Sequence, residues 1–418
     1  MFSQAVELSR SVHRAVGRAG LDKFATAVMD QVLVSGANFL VGLYLARNFA
    51  KSEYGFYVMV VTLSQILISY QNALFNTPLL VRDAETGPGY FRGAERSNTI
   101  AVACLVGILV PGALFVGVEA VWSALFFGIF LLKEFRKNLL YARLDLAALL
   151  RIDALYLVFM GTCLVLFGIG SWWMVFPLMF AGHALSLAGS GGVQASFPGK
   201  RMSMRQVVVE NWAIARWTLV GVTATVLQNR SYVYLTSAIL SPEVLAELSV
   251  ARMVMMPLAL CVGSSGKIIV VWGRRTLAGG RAELFRRNVA MVAVVLSLLA
   301  VCYVCVLLWI YPSLNQAVFH GRYDGLQMYI GLWGGYFLVQ MFRFVLSNAL
   351  QAMQRFKELA VIGVASGLMV PLLCLVLITP FAGNGALVSL ICGEALLLAY
   401  LGRTFLCSEQ GTADFRTG

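Results

Sequence analysis

The chain has 418 residues, 59% of them hydrophobic and 12% charged, with mean hydropathy +0.79 and a formal net charge of +12. A soluble globular domain carries about twice that share of charged residues, so the composition excludes one and points to a polytopic membrane protein. The apolar runs are about 20 residues long and lack the alternation of a transmembrane barrel, so the spans are helical.

Residues 1–23 form an expected cytoplasmic N-terminal segment. Arg10, Arg14, Arg18 and Lys23 lie there with no apolar stretch ahead of them, so no cleavable signal peptide is expected. Phe2, Val6, Val12 and Val16 suit either a weak amphipathic helix on the membrane surface or a disordered tail. Twelve spans then follow. The first six, at 24–46, 54–75, 98–118, 121–141, 152–170 and 172–189, make an N-terminal six-helix bundle over 24–189. A cytoplasmic linker at 190–211 opens on a glycine-rich break. The second six, at 212–240, 244–271, 289–311, 326–350, 359–380 and 385–405, make a C-terminal bundle over 212–405, with a cytoplasmic tail at 406–418. The fold class is therefore all-α: about 12 transmembrane helices in two pseudo-symmetric bundles.

Two helix starts are marked. Lys51-Ser52-Glu53 offers a serine cap and an acidic first turn, and Ser241-Pro242-Glu243 repeats the pattern at the same place in the second half. A shift of 190 residues aligns Ser35 with Thr225, Asn38 with Gln228 and Tyr44 with Tyr234, so the halves read as repeats with a substrate path between them. Of the 32 lysines and arginines, only Arg47, Lys51 and Arg322 fall in outer loops, and Arg216, Arg230, Arg252 and Arg343 lie within spans. The rest, Lys133, Arg136 and Lys137 among them, count as cytoplasmic. That asymmetry places both termini in the cytoplasm and makes membrane lipid, not nucleic acid, the partner of the basic excess.

The span at 212–240 is the one around which the chain is organised. Arg216 and Arg230 are fourteen residues apart, about 21 Å along a helix and nearly on one face. Thr223 lies midway, and Gln228, Asn229 and Ser231 surround Arg230. A charge inside a bilayer normally faces protein or water, which makes it a functional-site candidate. For Arg216, near a helix end, snorkelling to the interface is an equal reading. Arg252 on the next span would join Arg230 in a cationic patch, while Arg343 reads as snorkelling. The first two spans carry polar stripes, Gln31, Ser35 and Asn38 on one and Gln65, Ser69, Asn72 and Asn76 on the other. Such stripes either bond neighbouring helices together or line a hydrated cavity. Guanidinium forks suit phosphate, and a cavity with arginines and amides but few acids would suit an anion bearing sugar hydroxyls.

Asp30, near the end of the first span, reads as solvated or as a helix cap; Asp153 sits similarly at the start of the fifth. Glu394 is deep in the twelfth span, and is protonated, paired with an arginine or an ion-coupling site, pairing being favoured. His183 reads as a satisfied buried histidine ahead of a proton relay. The eight cysteines read as small buried hydrophobes with no metal or disulfide role. No Walker A, HExxH, GxSxG or dinucleotide motif occurs in a suitable context, so neither catalytic residues nor a cofactor is expected.

Residues 133–145 read KEFRKNLLYARLD and continue as LAALLRIDALYLV; residues 45–60 read LARNFAKSEYGFYVMV; residues 348–401 read NALQAMQRFKELAVIGVASGLMVPLLCLVLITPFAGNGALVSLICGEALLLAYL. Over nearly its whole length the chain resembles the polysaccharide-transporter branch of the multidrug/oligosaccharidyl-lipid/polysaccharide (MOP) exporter superfamily, which contains the O-antigen (Wzx-type) flippases. The resemblance implies two six-helix bundles that alternate between inward- and outward-open forms. It implies transport of a polyprenyl-pyrophosphate-linked saccharide across the bacterial inner membrane, with polysaccharide polymerase and glycosyltransferases as partners. It also implies coupling to a Na⁺ or H⁺ gradient or to the membrane potential. On that reading Arg230, Arg252 and Arg216 would hold pyrophosphate. Gln31, Ser35, Asn38, Gln65, Asn72 and Gln228 would line the sugar path, and Asp30 and Glu394 are the candidate ion-coupling positions. The rival readings are a cation-coupled drug antiporter of the same superfamily, which would want cavity carboxylates, and a membrane glycosyltransferase or polymerase, which would want a large outer loop.

Overall fold

The computed structural model describes residues 29–30, 32–81, 88–143, 145–189, 202–259, 269–270, 273, 276–277, 281–353 and 355–407. The regular secondary structure among these residues is all helix. In order they form α1 (32–48), α2 (Lys51–Gln71), α3 (Thr77–Val81), α4 (Pro88–Leu114), α5 (Val118–Arg143), α6 (Leu146–Leu166), α7 (Val175–Gly189), α8 (Met204–Ile239), α9 (Pro242–Met253), α10 (Ala282–Phe319), α11 (Gln327–Ala352) and α12 (Phe356–Cys407). A π-helical stretch, Asn72–Asn76, joins α2 to α3. Among the described residues, seven helical stretches are long and apolar enough to cross a membrane. One of them, in α12, is two helices joined across Ala382, whose φ of 50° and ψ of −135° are not helical. The long helix α5 carries the buried charges Lys133, Arg136 and Lys137 and α8 the half-buried Arg230, so neither reads as a plain apolar span.

The chain divides into two compact units. Unit 1 is Met1–Val41 with Gln71–Ala215, and unit 2 is Gly42–Tyr70 with Arg216–Gly418. In unit 1, α5 packs on α4, α6 and α7. Leu79, Tyr90, Ala94, Phe135, Leu139 and Val207 form a buried apolar cluster there. Polar side chains tie these helices as well: Gln71 donates to Asn98 Oδ1 at 2.9 Å and to the Leu131 carbonyl at 2.8 Å, and the Tyr90 hydroxyl donates to Asn211 Oδ1 at 2.6 Å.

In unit 2, α11 packs on α10 and α12. The core there includes Phe285, Val289, Val345, Ala349, Leu397 and Leu401. Arg47, Lys51 and Arg322, the three residues expected in outer loops, meet at one end of this unit. Arg47 Nε donates to His320 Nε2 at 3.0 Å, Arg322 donates to the Phe49 carbonyl at 3.0 Å, and Lys51 pairs with Glu247 at 2.6 Å.

Several starts differ from expectation. The first residue of α2 is Lys51, not the residue after Ser52, because Glu53 reaches back to the Ala50 N–H at 2.9 Å. Ser241 does cap α9, accepting from the Val244 N–H, with Pro242 in the first turn. The helix α8 begins at Met204, inside the expected linker. Its start is a reciprocal capping box: the Ser203 N–H donates to Gln206 Oε1 at 3.0 Å, and the Gln206 N–H to Ser203 Oγ at 3.3 Å. Cys163 and Cys374 are buried as expected, but Cys104, Cys302 and Cys305 are exposed on apolar helices.

One glycine sets the spacing of the helices that carry the polar residues of unit 2. A Cβ on Gly367 of α12 would lie 2.6 Å from the Ala224 carbonyl oxygen of α8. The two backbones touch one turn before Gln228. Gly367→Val is expected to lower stability by about 1–3 kcal/mol through overpacking, seen as a lower thermal midpoint of the detergent-solubilised protein.

Candidate functional site

In unit 2, four helices bring a chain of polar side chains together. Arg252 of α9 donates from Nη1 to the Tyr232 hydroxyl at 3.1 Å, and its guanidinium lies 5.3 Å from the Trp333 ring centroid. The indole N–H of Trp333 is itself fixed on the Leu248 carbonyl at 3.0 Å, so the ring that backs Arg252 is held firmly. Beside Trp333 stands Tyr336, whose hydroxyl donates to Asn229 Oδ1 at 3.3 Å and accepts from Gln340 Nε2 at 2.8 Å. Asn229 precedes Arg230 on α8. Arg230 lies in the electrostatic field of Arg252 and of the phenols of Tyr232, Tyr234 and Tyr336. Among the described residues it has no hydrogen-bond or carboxylate partner, and Arg252 has no carboxylate partner. The structure therefore joins Arg230 and Arg252 through shared aromatic neighbours.

Arg216 stands apart, exposed on α8 with its guanidinium 5.6 Å from the Trp217 ring centroid. Thr223, midway between the two arginines, is bonded to the Tyr70 hydroxyl at 3.3 Å.

Arg343 does not snorkel. Its Nε donates to Glu394 Oε2 at 2.7 Å and its Nη2 to Oε1 at 3.3 Å. Gln228 completes the cage, donating to Glu394 Oε1 at 3.1 Å. Of the three readings open for Glu394, the structure has the arginine pair. Gln228 is buried, its amide given to that carboxylate.

A second polar centre lies in unit 1. Asp153 accepts from Lys133 at 2.6 Å and from Lys137, which also reaches Asp30 at 3.3 Å; the Tyr141 hydroxyl donates to Asp30 Oδ2 at 2.6 Å. Lys133, Lys137, Asp30 and Asp153 are each at most 5% exposed. This corrects three readings at once. Lys133 and Lys137 are interior groups of α5, not solvated loop charges; Arg136, also buried, pairs with Glu95 at 3.0 Å. Neither Asp30 nor Asp153 is a solvated cap. The spacing that could have revealed the centre is Lys133 and Lys137 at i, i+4, one face of a helix. His183 is buried as expected but not satisfied: neither ring nitrogen has a partner among the described residues, and the ring is stacked 4.2 Å from Tyr156.

The polar stripes are placed unevenly. Gln31 lies outside the described residues. Ser35 and Asn38 are half-buried on α1, Gln65 is half-buried on α2, and Asn72 accepts from Asn76 within the π-helical stretch at 2.5 Å.

No family model and no curated protein matches the chain. Solved structures do. An inward-facing multidrug resistance MATE family transporter of the MOP superfamily aligns with a TM-score of 0.64 and 12% identity, over 95% of this chain and 96% of that one. The outward-facing form of such a transporter aligns at 0.61 and 9%, over 94% and 95%. The chain has the MATE transporter fold. A MOP superfamily transporter from Pyrococcus furiosus shares it as well, at 0.59 and 9% over 94% and 95%. The MATE fold thus accounts for nearly the whole length of the chain, while identities this low show architecture alone.

Proposed function

We propose that this protein is an alternating-access transporter of the bacterial inner membrane. Its cargo is a polyprenyl-pyrophosphate-linked saccharide for surface polysaccharide synthesis, and polymerase and glycosyltransferases act alongside it. The observation that carries this reading is the Arg230–Arg252 pair. Two guanidiniums share one aromatic surround, with no carboxylate against either among the described residues. A pair of neighbouring, half-buried cations without counter-ions among the described residues is costly, and a dianionic ligand offsets that cost. Arg252, oriented by Tyr232 and Trp333, would present a fixed fork to the diphosphate, and Arg230 would close on it. Gln65, on α2 of the same unit, would meet the sugar.

The rival is export of cationic drugs, since a protein of this fold is described as a multidrug resistance transporter. That role calls for carboxylates free to meet a cation, yet Asp30 is held by Lys137 and Tyr141, and Glu394 by Arg343 and Gln228. The Pyrococcus furiosus protein is described as having a binding pocket of reversed polarity that suggests a different function, so pocket charge is known to vary on this fold.

The test is reconstitution into vesicles with a fluorescent polyprenyl-diphosphate saccharide and a reagent that destroys label in the outer leaflet only. Wild-type protein is expected to expose the label, and the Arg230→Ala/Arg252→Ala double variant to fall to the protein-free rate while migrating as a folded species. Unchanged translocation by a folded double variant, or transport of a cationic dye in place of the lipid, would overturn the proposal.

A further inference from the structure

The three cations expected in outer loops meet at one end of unit 2, and two of them are left without a counter-charge. Arg47 and Arg322 are oriented by an imidazole nitrogen, His320 Nε2, and a peptide oxygen, that of Phe49, each at 3.0 Å. Such acceptors take one N–H and leave the charge of a guanidinium uncancelled. The carboxylates at this end are engaged elsewhere: Glu247 pairs with Lys51 at 2.6 Å, Glu53 accepts from the Ala50 N–H, and Asp324 accepts from Asn315 at 2.6 Å. Among the described residues neither Arg47 nor Arg322 has an ion pair, and both are exposed. The turn that carries Arg322 is built to hold it. His320 and Gly321 take φ of 53° and 74°, and Asn315 Oδ1 accepts from the Tyr323 N–H at 3.2 Å. Height along the molecule narrows what this end can meet. The helix α10 has 38 residues, about 57 Å against a hydrocarbon core of about 30 Å. Its exposed large apolar side chains run from Met291 to Ile310, and the exposed positions after them are Pro312, Ser313, Gln316 and Ala317. His320, at the end of the helix, therefore stands about 15 Å beyond the apolar band, past the depth of about 5–8 Å that lipid headgroups occupy.

We propose that Arg47 and Arg322 form an outer binding site for an acidic saccharide, one that carries carboxylates a few sugars out from its lipid. The inference rests on the lipid-linked saccharide reading and adds the chemistry of the sugar. A diphosphate stays tethered to its prenyl chain at the edge of the hydrocarbon, so the part of the cargo that reaches this height is the saccharide. A guanidinium fork gives a carboxylate two parallel charge-assisted bonds, a match that a lysine ammonium lacks. Arg47 keeps its two Nη groups for the ligand, since Nε is the one spent on His320. The amides beside the pair suit sugar hydroxyls. Asn48 is exposed, with Nδ2 on the Tyr44 carbonyl and Oδ1 without a partner among the described residues, and the exposed Gln316 lies against Gly321. Outer loops of a membrane protein are poor in lysine and arginine. Three such residues gathered at one outer point, two of them uncompensated, are accounted for by an anion that comes to them. No bond is made or broken; the site holds the emerging chain by its charge and so favours acidic over neutral cargo on the outer side.

The experiment is calorimetry of the purified protein in phosphatidylcholine nanodiscs with α-1,4-trigalacturonate, a soluble trimer of carboxylated sugars, and with neutral maltotriose. Wild-type protein is expected to bind trigalacturonate and not maltotriose. Arg47→Gln/Arg322→Gln is expected to bind it at least tenfold more weakly. Arg47→Lys/Arg322→Lys, which keeps the charge and loses the fork, is expected to fall between the two, and it serves if the glutamine variant does not fold. No binding by folded wild-type protein, unchanged affinity in the folded variants, or equal affinity for maltotriose overturns the inference. Triglutamate bound as tightly would make this end a site for an acidic peptide. Loss of binding when phosphatidylglycerol replaces phosphatidylcholine would make it a lipid-headgroup site, and either result overturns the assignment to a saccharide. A second ligand, P1,P2-dimethyl diphosphate, stands in for the lipid-linked diphosphate and separates this site from the one at Arg230 and Arg252. Binding of dimethyl diphosphate without trigalacturonate overturns the inference and leaves the diphosphate reading standing. Binding of trigalacturonate alone removes that reading and keeps the acidic-sugar site.

Discussion

Asp153→Ala is expected to destabilise the protein by about 3–5 kcal/mol, the usual consequence of removing one partner from a buried ion pair. Asp153 is the hub of unit 1. Its two oxygens hold two different ammonium groups, and its side chain has no exposed surface. Removing it leaves Lys133 and Lys137 charged in a site 1% and 5% exposed. Each has a second carboxylate: Lys133 has Glu134 at 3.6 Å and Lys137 has Asp30 at 3.3 Å. Those contacts soften the loss for Lys137 more than for Lys133, because Glu134 is the looser partner. The double variant Asp153→Ala/Lys133→Ala is therefore expected to recover part of the lost stability, and Asp153→Ala/Lys137→Ala less. Thermal unfolding in detergent, followed by tryptophan fluorescence, measures all three. A midpoint for Asp153→Ala equal to wild type would show that the cluster bears no load.

The unit 1 centre also shows where reading the chain from its residues stops short. Hydropathy places a span at 121–141, and Lys133, Arg136 and Lys137 in its second half count as cytoplasmic charge only if they are taken to reach the membrane surface. In the folded protein α5 runs from Val118 to Arg143, and its charged face turns inward to Asp153, twenty residues along on the next helix. Charge counting has no means of telling a loop lysine from one whose counter-charge is supplied by another helix. Glu394 was more legible. A lone acid deep in an apolar span must be neutralised or paired, and pairing was the favoured reading. Naming Arg343 as the partner needed the packing of α11 on α12. Local signals were strong where the physics is local. Ser241-Pro242 gives the start of α9, and Ser203-x-x-Gln206 would have given the start of α8 had it been read as a capping box. The arginines of the 212–240 span were legible because a charge in an apolar helix is conspicuous, whereas their separation into a joined pair and the exposed Arg216 depends on which helices flank α8.

That separation supports a final expectation, in which stability and function move in opposite directions. Arg230→Leu is expected to raise the thermal midpoint of the ligand-free protein. The wild-type guanidinium makes no hydrogen bond or ion pair among the described residues and is repelled by Arg252, so a leucine there removes a desolvated charge and gives up no protein contact. The same change is expected to weaken diphosphate binding by about 10–100-fold, the equivalent of one or two charge-assisted hydrogen bonds. Arg252→Leu differs. It forfeits the bond to the Tyr232 hydroxyl and the stacking over Trp333, and is expected to cost about 1–3 kcal/mol of stability, lowering the midpoint, as well as to weaken binding. A residue kept at a cost to stability is accounted for by what it binds, and one that is woven into the fold is not. Thermal unfolding with and without P1,P2-dimethyl diphosphate separates the two cases. If Arg230→Leu lowers the midpoint as much as Arg252→Leu does, Arg230 is a structural residue and the anion site loses half of its charge.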